Sequence, residues 1–116
     1  MTLSEKLDAI RRIALANQRS LSGEYVLWSR HATARLVDYD LVRRDVEAAL
    51  VHGVIIEDYA TLHRPLPDCL ILGTLSDRRP VHMVVAVDVE NDRIYVVTIY
   101  LPSRERWQDD WKTRKP

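Results

Sequence analysis

"RRPVHMVVAVDVENDRIYVVTIY", residues 78–100, reads as a β-hairpin: two runs rich in Val and Ile flank Glu90-Asn91-Asp92. Alternation puts His82, Val84 and Ala86 on one face of the first strand, and Val81, Met83, Val85 and Val87 on the other. On the partner strand, Val96, Thr98 and Tyr100 share a face. Loop length sets the register. A three-residue loop, Glu90 to Asp92, pairs Val89 with Arg93, His82 with Tyr100 and Val84 with Thr98. A two-residue loop sends His82 and Tyr100 to opposite faces. The longer loop is preferred, because it gathers the polar side chains on one face and leaves the other wholly apolar for helices. The open end of the hairpin then collects Arg78, Arg79, His82, Thr98 and Tyr100. Cations, an imidazole, a hydroxyl and a phenol in one place suit a phosphate; an exposed strand end is the plainer reading.

Working outward from the hairpin, Thr2 to Glu5 has capping-box spacing, and Leu3, Leu7, Ile10 and Ala14 continue at helical period to about Ser20. Tyr25 to Trp28 is a short strand. Ser29 caps a helix from Arg30 to about Val37, and Asp40 caps another from Leu41 to His52, with Gly53 as its stop. Val54 to Tyr59 and Cys69 to Leu75 are strands, separated by the proline-bearing loop "ATLHRPLPD". Pro102-Ser103 ends the last strand and starts a short helix carrying Trp107 and Trp111 at i, i+4. Short links between successive strands imply antiparallel pairing. The expected fold is α+β over residues 1–116 as a single domain: N-terminal helices, a four-stranded antiparallel meander with helices on one face, and a short C-terminal helix.

Composition narrows the function classes. A hydrophobic content of 47% and a charged content of 29% are those of a globular chain. The apolar runs are strand-sized, too short for a bilayer, and the N-terminus has no signal-like apolar region. With Cys69 the lone cysteine, no internal disulfide can form, which fits a cytoplasmic protein. The 17 basic and 17 acidic residues balance, so any nucleic-acid site must be a local patch. Charges are segregated: six acidic against two basic side chains between Asp38 and Asp58, then five basic against three acidic after Pro102. Fourteen of the 17 cations are Arg, whose fork suits phosphate, although a genome favouring Arg codons gives the same count.

His31 is the second candidate of interest, in the first turn of its helix with Arg35 one turn on. A helix N-terminus favours anions and a neutral imidazole. His31, Arg35, Arg79, His82 and Tyr100 together contain a base, an acid and cations for phosphoryl transfer. Each also has a structural reading: a hydrogen-bonded histidine, a solvated arginine, a packed tyrosine. No metal and no cofactor is expected, because His31, His52, His63 and His82 are scattered without ligand spacing. There is no Gly-rich phosphate loop and no nucleophile elbow.

Six stretches carry a family resemblance: "SRHATARL", "DLVRRDVEAALVHGVIIEDY", "RPLPDCLILG", "RRPVHMVVAVD", "VVTIYLP" and "RWQDDWKTR". From about Trp28 to Arg114 the chain resembles the bacterial domain of unknown function family 4258, while residues 1–22 lie outside the pattern. That family is similar to the RelE-, MqsR- and barnase-like small ribonucleases. Its motif positions fall on His31, Arg35, Gly53, Gly73, Arg79, His82 and Tyr100. The resemblance implies a toxin-like, metal-independent endoribonuclease acting on RNA, with an antitoxin-like protein of zinc-finger type as partner. His31 and His82 would be base and acid in either order, Arg35 and Arg79 would hold the phosphate, and Tyr100 would orient it or donate a proton. Arg78, Thr98, Arg104, Arg106 and Arg114 would bind RNA. The rival expectations are a non-catalytic module whose acidic face binds a basic protein, and a small dimer joined through a sheet edge.

Overall fold

The computed structural model describes residues 1–59 and 65–116. Helix α1 (Leu3–Arg19) starts on a complete capping box: Glu5 N–H donates to the Thr2 hydroxyl at 3.1 Å, and Thr2 N–H to the Glu5 carboxylate at 2.9 Å. It buries Ala9, Ile10, Ile13 and Ala14. Strand β1 (Val26–Trp28) and helix α2 (Arg30–Asp38) follow, with Ser29 as the α2 N-cap.

Helix α3 spans Arg43–Ala49, shorter than Leu41 to His52, and Asp40 does not cap it. Asp40 adopts a left-handed φ of 53°. There it closes α2: Leu41 N–H reaches Leu36 O at 2.8 Å and Asp40 N–H reaches Val37 O at 3.1 Å. These are the paired bonds that end a helix on a left-handed residue, with Leu41 folding back onto the core. A short polar side chain tolerates that conformation, and so Asp40 ends one helix instead of beginning the next.

Strands β2 (Val54–Asp58), β3 (Asp68–Thr74), β4 (Pro80–Asp88) and β5 (Arg93–Tyr100) form the antiparallel meander. The sheet has five strands, however, in the order β1-β5-β4-β3-β2. β1 adds to the edge parallel to β5, pairing Val26 with Ile94 and Trp28 with Val96. A long connection through α2, α3 and three strands separates β1 from its neighbour, so short links cannot reveal the pairing. Part of the loop "ATLHRPLPD", with His63, lies outside the described residues.

At its far end the hairpin pairs Asp88 with Arg93, which makes a four-residue turn of Val89 to Asp92. The Asp88 carboxylate accepts from the Asn91 side-chain amide at 2.8 Å, and Asp92 has φ 51°. Val97 is then inserted as a bulge, and beyond it Val84 pairs with Thr98 and His82 with Tyr100. The extra turn residue and the extra strand residue cancel. The bulge also turns Val96 to the core face, away from Thr98 and Tyr100. Ser29 grips it: Ser29 N–H donates to Val96 O at 3.1 Å, and the Ser29 hydroxyl to Val97 O at 2.8 Å. One residue thus caps α2 and ties it to β5.

The core face of the sheet carries Ile71, Val81, Met83, Val85 and Ile99, all inaccessible, under α1 and α3. Gly73 permits the close approach of α3. A Cβ there would lie 2.8 Å from Met83 Cε and 2.9 Å from Ala49 O.

On the opposite face, the C-terminal segment covers the end that carries His82, and it is not a helix. Arg106 and Trp107 N–H both reach Ser103 O for a single turn, and the chain then reverses. Gln108 N–H bonds Thr113 O, and Lys115 N–H bonds Arg106 O, both at 2.8 Å. The Asp110 carboxylate takes the N–H groups of Lys112 and Thr113 at 2.9 and 3.0 Å. Aspartate offers the backbone this local alternative to helix. Trp111 follows with φ 60°. Trp107 is 2% exposed, so the tail is docked although it is not helical.

Candidate functional site

The β4–β5 register and the docked tail bring His82, from the polar end of the hairpin, under cover. His82 is 0% exposed. Its ring meets Trp107 edge to face at 4.4 Å between centroids and Tyr100 at 5.1 Å. Nε2 lies 2.7 Å from Trp111 O, and Nδ1 lies 3.1 Å from the Tyr100 hydroxyl. A carbonyl only accepts, so Nε2 carries a hydrogen. Burial holds the imidazole below its ordinary pKa, with the Trp111 carbonyl and the Glu57 carboxylate pulling back. In the neutral ring, Nδ1 is therefore a lone-pair acceptor, and the Tyr100 O–H donates to it. Burial raises the Tyr100 phenol above its ordinary range, opposed by the charge of Arg114.

Tyr100 forms part of the wall of an open groove of about 470 Å³. Arg35, Arg106 and Arg114 also line it, with Tyr39 and Ser103. Arg35 donates to the Tyr39 hydroxyl at 2.9 Å and lies over that ring at 5.0 Å, one helical turn away. Its Nε is buried without a partner among the described residues. Such an orphaned donor costs free energy unless something supplies an acceptor. Arg114 is held from two sides. It forks onto Glu57 at 2.6 and 3.0 Å, and stacks over Trp107 at 4.7 Å. The fork keeps Glu57 below the usual carboxylate range, and Tyr59 O–H adds a bond to Glu57 at 3.1 Å. Burial, reinforced by that carboxylate, pushes the Tyr59 phenol up to about 12.

The other expected site residues lie apart. His31 is exposed in the first turn of α2 and is not on the groove wall. Arg79 is exposed and tied to Asp77 at 2.7 Å, next to Arg78, whose φ is 74°. Thr98 is half-buried beside Val84. Arg104 is exposed, 3.4 Å from Asp109 and over Trp111 at 5.6 Å. The structure thus gathers Arg35, His82, Tyr100, Arg106 and Arg114, and leaves His31, Arg78, Arg79, Thr98 and Arg104 outside the wall. Sequence reasoning missed Tyr39, Ser103, Glu57 and Tyr59 at this place. The i, i+4 spacing of Arg35 and Tyr39 was a usable signal. Nothing in the sequence marks Glu57.

The acidic stretch dissolves in three dimensions. Glu47 is buried and bonds Asn17, Trp28 and Arg43. Asp45 accepts from Ser76, Glu57 from Arg114, Asp58 from Lys6, and Asp38 lies near Arg35. Among the described residues, no cluster of three or more His, Cys, Asp or Glu side chains could hold a metal ion, and no helix is long and apolar enough to cross a membrane.

The family model described as Domain of unknown function (DUF4258) matches residues 28–101, and the chain belongs to that family. No curated protein and no solved structure matches it. Ser103, Arg106, Trp107 and Arg114 lie beyond the matched segment, so part of the groove wall comes from outside it.

Proposed function

We propose that this DUF4258 member is a metal-independent endoribonuclease, kin to the RelE- and barnase-like toxins, whose groove holds an RNA phosphodiester. One observation carries the reading: a phenol hydrogen-bonded to a buried neutral imidazole opens onto a wall with three guanidinium groups. Such a wall suits a substrate that is anionic and must lose a proton. RNA offers both in adjacent groups, the phosphate and the ribose 2′-OH.

In this mechanism the 2′-OH gives its proton to the Tyr100 oxygen as the phenolic proton passes to His82 Nδ1. The 2′-oxygen attacks phosphorus, the bond to the 5′-oxygen breaks, and a 2′,3′-cyclic phosphate remains. The imidazolium keeps its Nε2–H on Trp111 O, with the Glu57 carboxylate nearby. Arg35, Arg106 and Arg114 stabilise charge on the crowded phosphate. The leaving 5′-oxygen takes its proton from water, since His31 stands outside the groove wall. Arg78, Arg79 and Arg104 would meet flanking backbone, and an antitoxin-like partner would act by covering the groove.

The test is incubation of purified protein with RNAs of mixed sequence, alone and on translating ribosomes. Products ending in a 2′,3′-cyclic phosphate, unchanged by EDTA, are expected. RNAs left intact under both conditions overturn the reading. Activity lost on chelation would refute the metal-independent mechanism.

A further inference from the structure

Glu57 lies far from the hairpin in sequence, in the short strand β2, yet it touches the groove's chemistry twice. The register explains how. Glu57 pairs with Leu70, and Leu70 with Val84, which puts its side chain on the His82 face; Asp58, paired with Cys69, lies on the α1 side, where it meets Lys6. Its two oxygens take Arg114 Nε and Nη2 at 2.6 and 3.0 Å. Nη1 keeps no partner among the described residues, on a guanidinium that lines the groove. The Trp107 ring under Arg114 fixes the remaining direction. A planar fork held on one edge by a carboxylate and on one face by an indole has lost most of its rotamer freedom. An anion meeting it need not repay that entropy.

We propose that Glu57 is a positioning residue of this groove: it aims the Arg114 guanidinium at a bound phosphate and supplies the counter-charge for the imidazolium form of His82. The proposal rests on the phosphate-binding reading of the groove, not on cleavage. The charged and titratable groups facing His82 are Glu57 from β2, Tyr100 from β5 and Arg114 from the tail. Glu57 favours the protonated ring and Arg114 disfavours it. Removing either one should therefore shift the ring in opposite directions, which a structural ion pair without influence on His82 would not do.

The experiment uses the full chain. NMR follows the His82 imidazole through a pH titration, assigned against His82→Gln, and inorganic phosphate is titrated into each variant. Glu57→Gln should lower the His82 midpoint and weaken phosphate binding about tenfold, the worth of one well-placed charged hydrogen bond. Arg114→Ala should raise the midpoint and also weaken phosphate binding. Glu57→Asp keeps the charge but withdraws the fork by one methylene. It should leave the midpoint near that of the wild type while losing phosphate affinity, and it serves if Glu57→Gln fails to fold. A wild type that binds no phosphate, or carboxylate variants matching it in both readouts, overturns the proposal. A wild type that binds phosphate but cleaves no RNA defeats the ribonuclease reading and leaves the role of Glu57 decided by these titrations.

Discussion

The two faces of one sheet do different work with the same strands. On the core face, Val81, Met83 and Val85 of β4 are inaccessible and wholly apolar, packed with Ile71 and Ile99 under α1 and α3. On the other, His82 alternates with them and is equally inaccessible, but it spends both ring nitrogens on hydrogen bonds and sits under a tail held by polar turns. Burial alone therefore does not distinguish structure from chemistry here. What distinguishes the faces is what lines their openings: the one between α3 and β3 is walled mainly by small and apolar residues such as Ala48, Ala49 and Gly73, while the groove the tail leaves beside Tyr100 carries three arginines.

The largest effect should come from the apolar face. Met83→Ala deletes a fully buried side chain, and should cost about 3–4 kcal/mol in urea unfolding while sparing groove chemistry below the melting temperature. Loss of phosphate binding in a still-folded Met83→Ala protein would break the division between faces. Trp107→Ala should cost about 3 kcal/mol, at the low end for such a ring because the tail can lift as a unit. Unlike the core-face change, it should release Arg114 and abolish phosphate binding. Trp107→Ala protein that binds phosphate normally would show that the tail is only a cover.

A smaller effect sharpens the comparison through pH. His82 has a folded pKa below the ordinary 6.5. The unfolded chain then binds more protons as pH drops, so the stability tied to the neutral ring is present above 6.5 and lost as pH falls through the lowered native value. Wild type should lose stability over that window, and His82→Gln should lose less. Parallel pH profiles for the two proteins would mean that the ring is not held neutral. Least of all should follow from Arg79→Ala. That side chain pairs with Asp77 in an exposed turn, and its loss should leave both the unfolding midpoint and phosphate binding unchanged.

Much of this was legible in advance, and the failures have physical causes. Alternation along β4 marked His82 and Met83 for opposite faces, and the preferred register did set His82 beside Tyr100. It did so through two departures that cancel, a four-residue turn and a bulge at Val97, which apolar alternation cannot encode. Asp40 misled because aspartate both begins helices and tolerates the left-handed residue that ends them. Trp107 and Trp111, at helical spacing, misled because Asp110 captures the local N–H groups first. Glu57 was invisible at the site, since its position depends on the pairing of three strands. His82 belongs to a strand end whose plainer reading was exposure, and the docked tail buries it instead. With no exposure and both nitrogens bonded, His82→Ala would lower stability as well as any activity.

Tyr100→Phe avoids that confusion. It keeps the ring and its packing and removes only the oxygen that links the groove to His82. Single-turnover cleavage of a short RNA, measured beside the unfolding midpoint of the same samples, is therefore the direct test. The rate should fall by about 10²–10⁴-fold, with stability reduced by about 1–3 kcal/mol because Nδ1 loses its donor. A folded Tyr100→Phe protein that cleaves as fast as wild type would contradict the mechanism.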